Sequence, residues 1–358
     1  MSLVRLEITH FRNLLALTIE PNPSFNIIHG ENGSGKTSIF EAIYFLGLGR
    51  SFRHHLVNRI INYDAEKLSV FAMAQSHNNL SNALGIEKDR DGKSRIKING
   101  ENIQSPAILA ELLPIQLINP DSYYLLSAGP KHRRQFLDWG VFHVEPAFFP
   151  EWKKIQRILK QRNAALRDPS YTQMIYSWDI EYVAASDALE EMRSNYIAQL
   201  NPIFQQVITE LLDVGDLTLE YRKGWDTEKG LQQVLKESLA RDQQLGYTQY
   251  GPHRSDIKIY TDHFQAQDVL SRGQQKLLIC ALRLAQGILL RELTNKRCIY
   301  LIDDLAAELD ANHRKKIMEV LATLQSQVYV TATNPHDLKD LMDISDTKMF
   351  HVEQGKLS

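Results

Sequence analysis

Residues Gly30 to Thr37 read GENGSGKT, and they match the pattern G-x-x-x-x-G-K-[ST] at every fixed position. A short apolar run, Phe25–His29, precedes this stretch, and residues 38–46 follow it with the spacing of an amphipathic helix. Strand, loop and helix in this order are the setting that a phosphate-binding loop requires. The alternative, a Gly/Ser turn that matches by chance, leaves the flanking strand and helix unexplained.

The residue types of this loop suit anion binding. Glycines let the backbone curl so that successive N–H groups face one anion, and the positive end of the following helix adds to their field. We expect Lys36 to reach the β- and γ-phosphates of a nucleotide, ATP or GTP, and the Thr37 hydroxyl to hold Mg²⁺. The predicted nucleotide-binding residues of the loop are Gly30, Asn32, Gly33, Ser34, Gly35, Lys36, Thr37 and Ser38.

Composition limits the classes of function. With 43% hydrophobic and 23% charged residues, the chain is typical of globular proteins and atypical of disordered ones. Its net charge of −2 provides no bulk basic field, so DNA binding would require local patches. Cys280 and Cys298 have no metal-ligand spacing, and no apolar run resembles a signal peptide or reaches the ~18 residues of a membrane span. We therefore expect a cytoplasmic protein.

The pattern of the chain changes near residues 125 and 245. Residues 1–125 and 245–358 carry strand patterns around the phosphate loop, whereas residues 126–244 lack strong strand signals. The sequence predicts an α/β head with mixed sheets, formed by 1–125 and 245–358, and a mainly helical inserted arm at 126–244.

Two further stretches carry candidate site residues. Asp303 and Asp304 end a buried strand at 298–302, and adjacent carboxylates in this place fit Mg²⁺ binding and activation of an attacking water. Gln116 interrupts an apolar run, so it needs a hydrogen-bond partner or a ligand. Ser271 is placed to cap a helix, which accounts for the serine but not for the whole string LSRGQQ.

Basic residues form two candidate DNA-binding patches. Lys93 and Arg95 lie in a predicted hairpin around Asp91-Gly92, where lysines that protect a sheet edge are the alternative. Residues 131–167 mix cations with aromatic side chains, as in some DNA-facing surfaces, but a helix with an aromatic core face has the same pattern. The candidates in this second patch are Lys131, Arg133 and Arg134.

Taken together, the motifs resemble the ATP-binding-cassette (ABC) class of P-loop ATPases. Within that class the chain resembles the RecF family of bacterial recombination mediators, which are short relatives of SMC-type ATPase heads. The resemblance spans almost the whole chain. It rests on HFRNL (10–14), GENGSGKT, LPIQLINPDSYYLLSAGPKHRRQFLDWG (113–140), YGPHRSD (250–256), LSRGQQKLL (270–278) and LIDDLAAELD (301–310).

The resemblance implies a role for each matched position. Lys36 and Thr37 bind phosphate and Mg²⁺, Asp303 is the Mg²⁺-linked acid, and Asp304 stands where many cassette ATPases have a catalytic glutamate. Gln116 looks like the loop glutamine that senses metal and attacking water, and Arg12 resembles the nucleotide-proximal arginine of SMC-like heads, although a solvated surface arginine is the ordinary interpretation. The residues that would complete the site of a second subunit are Ser271, Gly273, Gln274 and Asp310.

The resemblance also implies a mechanism and partners. A signature helix such as LSRGQQ acts on the ATP of another subunit, which implies an ATP-dependent homodimer that binds duplex or gapped DNA and works with the RecO and RecR proteins. Thr331-Ala332-Thr333 stands where transporter cassettes have a switch histidine, and the shorter Asp304 replaces a glutamate, so we expect slow hydrolysis suited to timing. With the resemblance, the expected activity is that of a weak, DNA-stimulated ATPase. The alternatives are an ATPase subunit of a membrane transporter, and a structural SMC-like head, for which the insert is too short.

Overall fold

The structure is a computed structural model, and it describes all residues except 55, 77–79, 169, 171, 262, 305–308, 335–337, 339–345 and 358. The described strands are β1 (Ser2–Phe11), β2 (Leu14–Ile19), β3 (Phe25–His29), β4 (Lys67–Gln75), β5 (Ser81–Asp89), β6 (Ser94–Ile98), β7 (Glu101–Ile103), β8 (Ile115–Ile118), β9 (Leu217–Arg222), β10 (Asp256–Thr261), β11 (Phe264–Gln265), β12 (Ile299–Ile302), β13 (Gln327–Ala332), β14 (Thr347–Glu353) and β15 (Lys356–Leu357). The described α-helices are α1 (Lys36–Leu48), α2 (Pro106–Leu112), α3 (Tyr124–Ser127), α4 (Pro130–Val144), α5 (Phe148–Arg167), α6 (Thr172–Leu211), α7 (Leu231–Leu245), α8 (Ala266–Val269), α9 (Arg272–Thr294) and α10 (Ala311–Thr323).

The chain divides into two compact units, a head unit of residues 1–123 and 276–358 and an arm unit of residues 124–275. The first division lies two residues from the predicted boundary at 125. The second lies about 30 residues beyond 245, because β10 pairs antiparallel with β9 and keeps residues 256–261 in the arm unit. Apart from this small sheet, in the order β11-β10-β9, the regular elements described in the arm unit are helices.

The described residues of the head unit form two six-stranded sheets. One is antiparallel, in the order β2-β1-β4-β5-β6-β7, and the other has the order β15-β14-β3-β13-β12-β8. Strands β14, β3, β13, β12 and β8 of the second sheet run parallel. Parallel strands covered on both faces need continuous apolar runs, which explains the fully buried Ile299–Ile302. Side chains of α1, including Phe40 and Ile43, join both sheets in one apolar core.

Buried ion pairs hold the arm unit together. Arg162 on α5 is fully buried and donates to Asp179 at 2.6 Å, to Asp242 at 2.9 Å and to Thr248 at 2.7 Å. Because a buried charge is costly unless it is paired, these contacts fix how α5, α6 and α7 pack. No helix in the described part of the chain is both long and apolar enough to cross a membrane.

Candidate nucleotide-binding site

The phosphate loop lies at the carboxyl end of β3, a central strand of the parallel sheet. Gly35 is the N-cap of α1, and its φ of 125° is a conformation that side-chain-bearing residues avoid. The Lys36 ammonium donates to the carbonyl oxygens of Gly30 at 2.6 Å and Glu31 at 2.9 Å, so it folds back over the loop. Burial lowers the pKa of Lys36, while the carboxylates of Asp303 and Asp304 act in the opposite direction.

The two acids after β12 lie beside this loop. The Thr37 hydroxyl is 3.4 Å from each carboxylate oxygen of Asp303. Burial raises the pKa of Asp303, and the neighbouring Asp304 adds to that rise against the hydrogen bonds from Thr331 and Thr37. Asp304 is exposed, with a φ of 55° that is uncommon outside glycine. The structure therefore brings Lys36, Thr37, Asp303 and Asp304 together.

Thr331 on β13 fixes both acids. Its hydroxyl donates to Asp303 Oδ1 at 2.6 Å, and the Oγ1 atom of Thr331 accepts from the backbone N–H of Asp304 at 2.8 Å. In the sequence, Thr331 drew attention only because it lies in the segment where transporter cassettes have a switch histidine. The signal that could have identified it was a polar residue in a buried strand, because the neighbouring strand β12 is followed by the two acids.

The site fits Mg²⁺ in its chemistry. A hydroxyl and a carboxylate are hard oxygen ligands, and Mg²⁺ in nucleotide sites uses one or two carboxylates together with phosphate and water. Within the described ranges no three His, Cys, Asp or Glu side chains form a cluster that would cage a metal alone. Thr37 and Asp303 are thus a partial ligand set, suited to a cation that arrives with a phosphate.

Asn13 supports the loop from the turn between β1 and β2. Its side-chain amide donates to the carbonyl oxygens of Gly33 at 3.4 Å and Ser34 at 3.3 Å, and its Oδ1 accepts from the Ser38 hydroxyl at 2.8 Å. The sequence places Asn13 within HFRNL but predicts no role for it, because the contact joins residues 20 or more positions apart.

Arg12 occupies the same turn, with a φ of 51°. Its guanidinium forms a two-bond ion pair with Glu41 on α1, which is fully buried and also accepts from the Ser51 hydroxyl. The side chain of Arg12 is 16% exposed, so it is not the solvated surface residue considered above. Arg12 is tied to the phosphate-loop helix, and a direct contact with nucleotide would require this ion pair to be exchanged.

Gln116 does not lie with the acids. It pairs in register with Tyr300, whereas Ile118 pairs with Ile302 just before Asp303. Its buried side chain donates to Gln286 and accepts from Arg283 on α9, both at 3.1 Å. The expected role of Gln116 as a metal sensor is corrected accordingly: protein partners satisfy its amide inside the sheet, about 10 Å along the strand from the acidic edge.

The LSRGQQ segment forms the start of α9. Ser271 and Gln274 form a reciprocal capping box: the Ser271 hydroxyl accepts from the Gln274 N–H at 3.3 Å, and Gln274 Oε1 accepts from the Ser271 N–H at 2.9 Å. Gly273 is exposed, and among the described residues no atom outside its chain neighbours and the backbone of its own helix lies within 4 Å of the position that a Cβ would occupy. This helix start is therefore accessible to a ligand. Asp310 is the N-cap of α10 and accepts from the His313 N–H at 3.1 Å.

The basic candidates separate into two groups. Lys93, Arg95 and Lys131 are exposed, so they remain candidates for phosphate contacts. Arg133 is buried and pairs with Asp256 at 2.7 Å, and Arg134 donates to the Ser255 carbonyl oxygen at 2.8 Å. For Arg133 and Arg134 the DNA-binding prediction is corrected, because the motif YGPHRSD supplies their partners within the arm unit.

We expect Arg133→Ala to destabilise the protein by about 3 kcal/mol, because it leaves the carboxylate of Asp256 without its buried partner. The DNA affinity of the folded protein should stay the same. Urea unfolding measures the stability, and DNA titration measures the affinity. The matched variant is Lys131→Ala, which truncates an exposed lysine. A loss of DNA affinity at unchanged stability would contradict the structural role of Arg133.

Comparison with known proteins identifies the class. Residues 2–357 match the family described as RecF/RecN/SMC N terminal domain. The DNA replication and repair protein RecF of Pseudomonas paraeruginosa is 48% identical over 363 residues, which cover 100% of this chain and 98% of that protein. A structure described as the recombination mediator protein RecF-ATPrS in the RecFOR pathway has a TM-score of 0.88 at 24% identity and covers 99% of this chain and 97% of that one. An Smc head bound to the C-winged helix domain of ScpA has a TM-score of 0.62 at 16% identity, with coverage of 100% and 96%.

The fold is thus an SMC-like ABC ATPase head, as the motifs predicted. Within this class the chain belongs to the RecF family. The resemblance seen in the sequence is confirmed, and the transporter alternative is not favoured.

Proposed function

We propose that this protein is an ATP-dependent DNA-binding protein that dimerises on ATP at duplex or gapped DNA and supports recombinational repair and replication restart. The observation that carries the proposal is the convergence of the phosphate loop with Asp303 and Asp304, held by Thr331 at the edge of one parallel sheet. The 48% identity to a DNA replication and repair protein supports the biological role.

In this proposal the loop N–H groups and Lys36 bind the ATP phosphates. Thr37 and Asp303 would hold Mg²⁺, which would neutralise charge on the phosphates when bound. Asp304 positions the attacking water and accepts its proton. Gln116 has no part in this set, because its amide is bound to Gln286 and Arg283.

The second half of the site comes from a second copy of the chain. The start of α9 is exposed at Ser271 and Gly273, and a helix N-terminus of this kind attracts an anion. Ser271, Gly273 and Gln274 would meet the γ-phosphate bound by the partner, with Asp310 near the shared boundary. Hydrolysis at this composite site is slow and DNA-stimulated, and it releases the dimer in the cytoplasm.

DNA is held chiefly through its phosphates, with Lys93, Arg95 and Lys131 as candidate contacts. Such binding is independent of sequence and weakens with salt. RecO and RecR are the proposed protein partners, in keeping with the RecFOR pathway named for a protein of similar fold.

One titration tests the proposal. Gapped duplex DNA is added to the protein with and without ATP and Mg²⁺ while light scattering follows the mass. We expect a dimer on DNA only with ATP, and affinity that falls as salt rises. A monomer under every condition, with no response to DNA, would rule the proposal out.

A further inference from the structure

The hairpin of β14 and β15 touches the phosphate loop through its turn, Gln354-Gly355. Both residues have positive φ, 46° and 77°, as a two-residue type I′ turn requires. The Gly355 N–H donates to the carbonyl oxygen of Ser34 at 2.7 Å. Ser34 lies inside GENGSGKT, so the turn is bonded to the backbone of the loop itself.

The contact leaves no room for a side chain. A Cβ on Gly355 would lie 2.4 Å from the carbonyl oxygen of Asn13, and a Cβ on Gly30 would lie 2.2 Å from the carbonyl oxygen of Val352 in β14. Asn13 also donates to the Ser34 carbonyl oxygen at 3.3 Å. Two separate elements, the β1–β2 turn and the β14–β15 turn, therefore converge on one peptide of the loop.

The donors to the Ser34 carbonyl oxygen affect anion binding, because they fix the backbone geometry of the loop. A loop that aims successive N–H groups at a phosphate directs its carbonyl oxygens elsewhere, and each of these needs a donor. The N–H of Gly355 and the amide of Asn13 supply donors for Ser34. Without these donors the loop would sample other conformations. Ordering it on binding would then reduce the affinity for the ligand.

We propose that the β14–β15 turn is a positioning element of the nucleotide site, in which Gly355 holds the Ser34 peptide so that the loop is preorganised for the phosphates of ATP. The inference rests on the proposed ATP-binding function and adds a part of the chain more than 300 residues away from the loop in sequence. Because coupling between two equilibria is reciprocal, bound ATP stabilises the turn to the same extent.

The test compares two alanine variants in turns of the same type. Gly355→Ala adds a methyl group against the Asn13 carbonyl oxygen, whereas Gly100→Ala changes the Asn99-Gly100 turn of β6 and β7. There φ is also positive at both residues, 51° and 88°, and in the described part of the chain no atom beyond the neighbouring residues lies within 4 Å of the added carbon. Both positions thus have positive φ, and the variants differ in the crowding against Asn13 and in the bond from Gly355 to Ser34 of the loop.

Binding of a fluorescent ATP analogue with Mg²⁺ should weaken about tenfold or more in Gly355→Ala and by no more than about twofold in Gly100→Ala. Equal affinities of both variants, with wild-type protein still binding ATP, would overturn the positioning role and leave the proposed function standing. If the wild-type protein fails to bind the analogue, both proposals fall.

A second measurement uses the unaltered protein, so it does not depend on the folding of a variant. Hydrogen exchange followed by mass spectrometry should show slower exchange of residues 353–357 at saturating ATP than without it, with residues 99–103 unchanged. Exchange in 353–357 that does not respond to ATP would contradict the coupling.

Discussion

Replacing Lys36 with methionine is expected to weaken ATP binding about 100-fold and to abolish ATP-dependent dimerisation on DNA. The ammonium is the cation of the loop, and a charge-assisted hydrogen bond to phosphate contributes about 2–3 kcal/mol. The variant also removes the two hydrogen bonds to the Gly30 and Glu31 carbonyl oxygens, so the loop loses an internal contact in the absence of nucleotide.

Calorimetry with ATP and Mg²⁺ measures the affinity, and light scattering with gapped DNA measures assembly. Lys229→Met is a suitable control, because that lysine is exposed on the arm unit and pairs with Glu237 at the surface. If Lys36→Met still dimerised with ATP and bound DNA, the proposed function would fail.

Asp304→Asn should abolish most ATP hydrolysis while leaving ATP-bound dimers intact. Asparagine has nearly the same shape and tolerates positive φ, so the backbone at 55° and the hydrogen bond to Thr331 are kept. What is lost is the group that accepts a proton from water, and a general base of this kind contributes about 10²–10⁴-fold to the rate.

Phosphate release with and without DNA measures this effect, and sizing in ATP measures the dimer. Asp226→Asn, an exposed carboxylate of the arm unit, serves as the matched control. Unchanged turnover of Asp304→Asn would remove Asp304 from the catalytic role, and loss of the dimer would show that the carboxylate acts in binding instead.

Local patterns predicted the elements of the head unit well. The structure starts and ends β3 at the predicted residues 25 and 29. The predicted hairpin joins β5 and β6, but its turn spans residues 90–92 and not Asp91-Gly92 alone, because the Asp89 N–H donates to the Lys93 carbonyl oxygen. These features depend on neighbours in sequence, on apolar runs and turn residues. The acids after β12 were predictable for the same reason, since the carboxyl ends of parallel strands share one edge.

Features that depend on distant partners were not predictable. Periodicity located the strand of Gln116 but not the residues facing it, and Gln286 lies 170 positions away. Arg133 and Arg134 looked like surface cations because Asp256 and Ser255 are more than 120 residues distant. The bonds from Thr331 to the acids and from Asn13 to the loop likewise join residues on different strands and turns.

The order of strands in the parallel sheet has a consequence for how the chain is made. β3 carries the phosphate loop and lies between β13 and β14, which are synthesised roughly 300 residues after it. At translation rates of about 5–20 residues per second, roughly 15–60 s pass between the synthesis of β3 and that of its neighbouring strands. Until then β3 lacks both of the strands that flank it in the finished sheet, and Asp303, which follows β12, is also among the late residues.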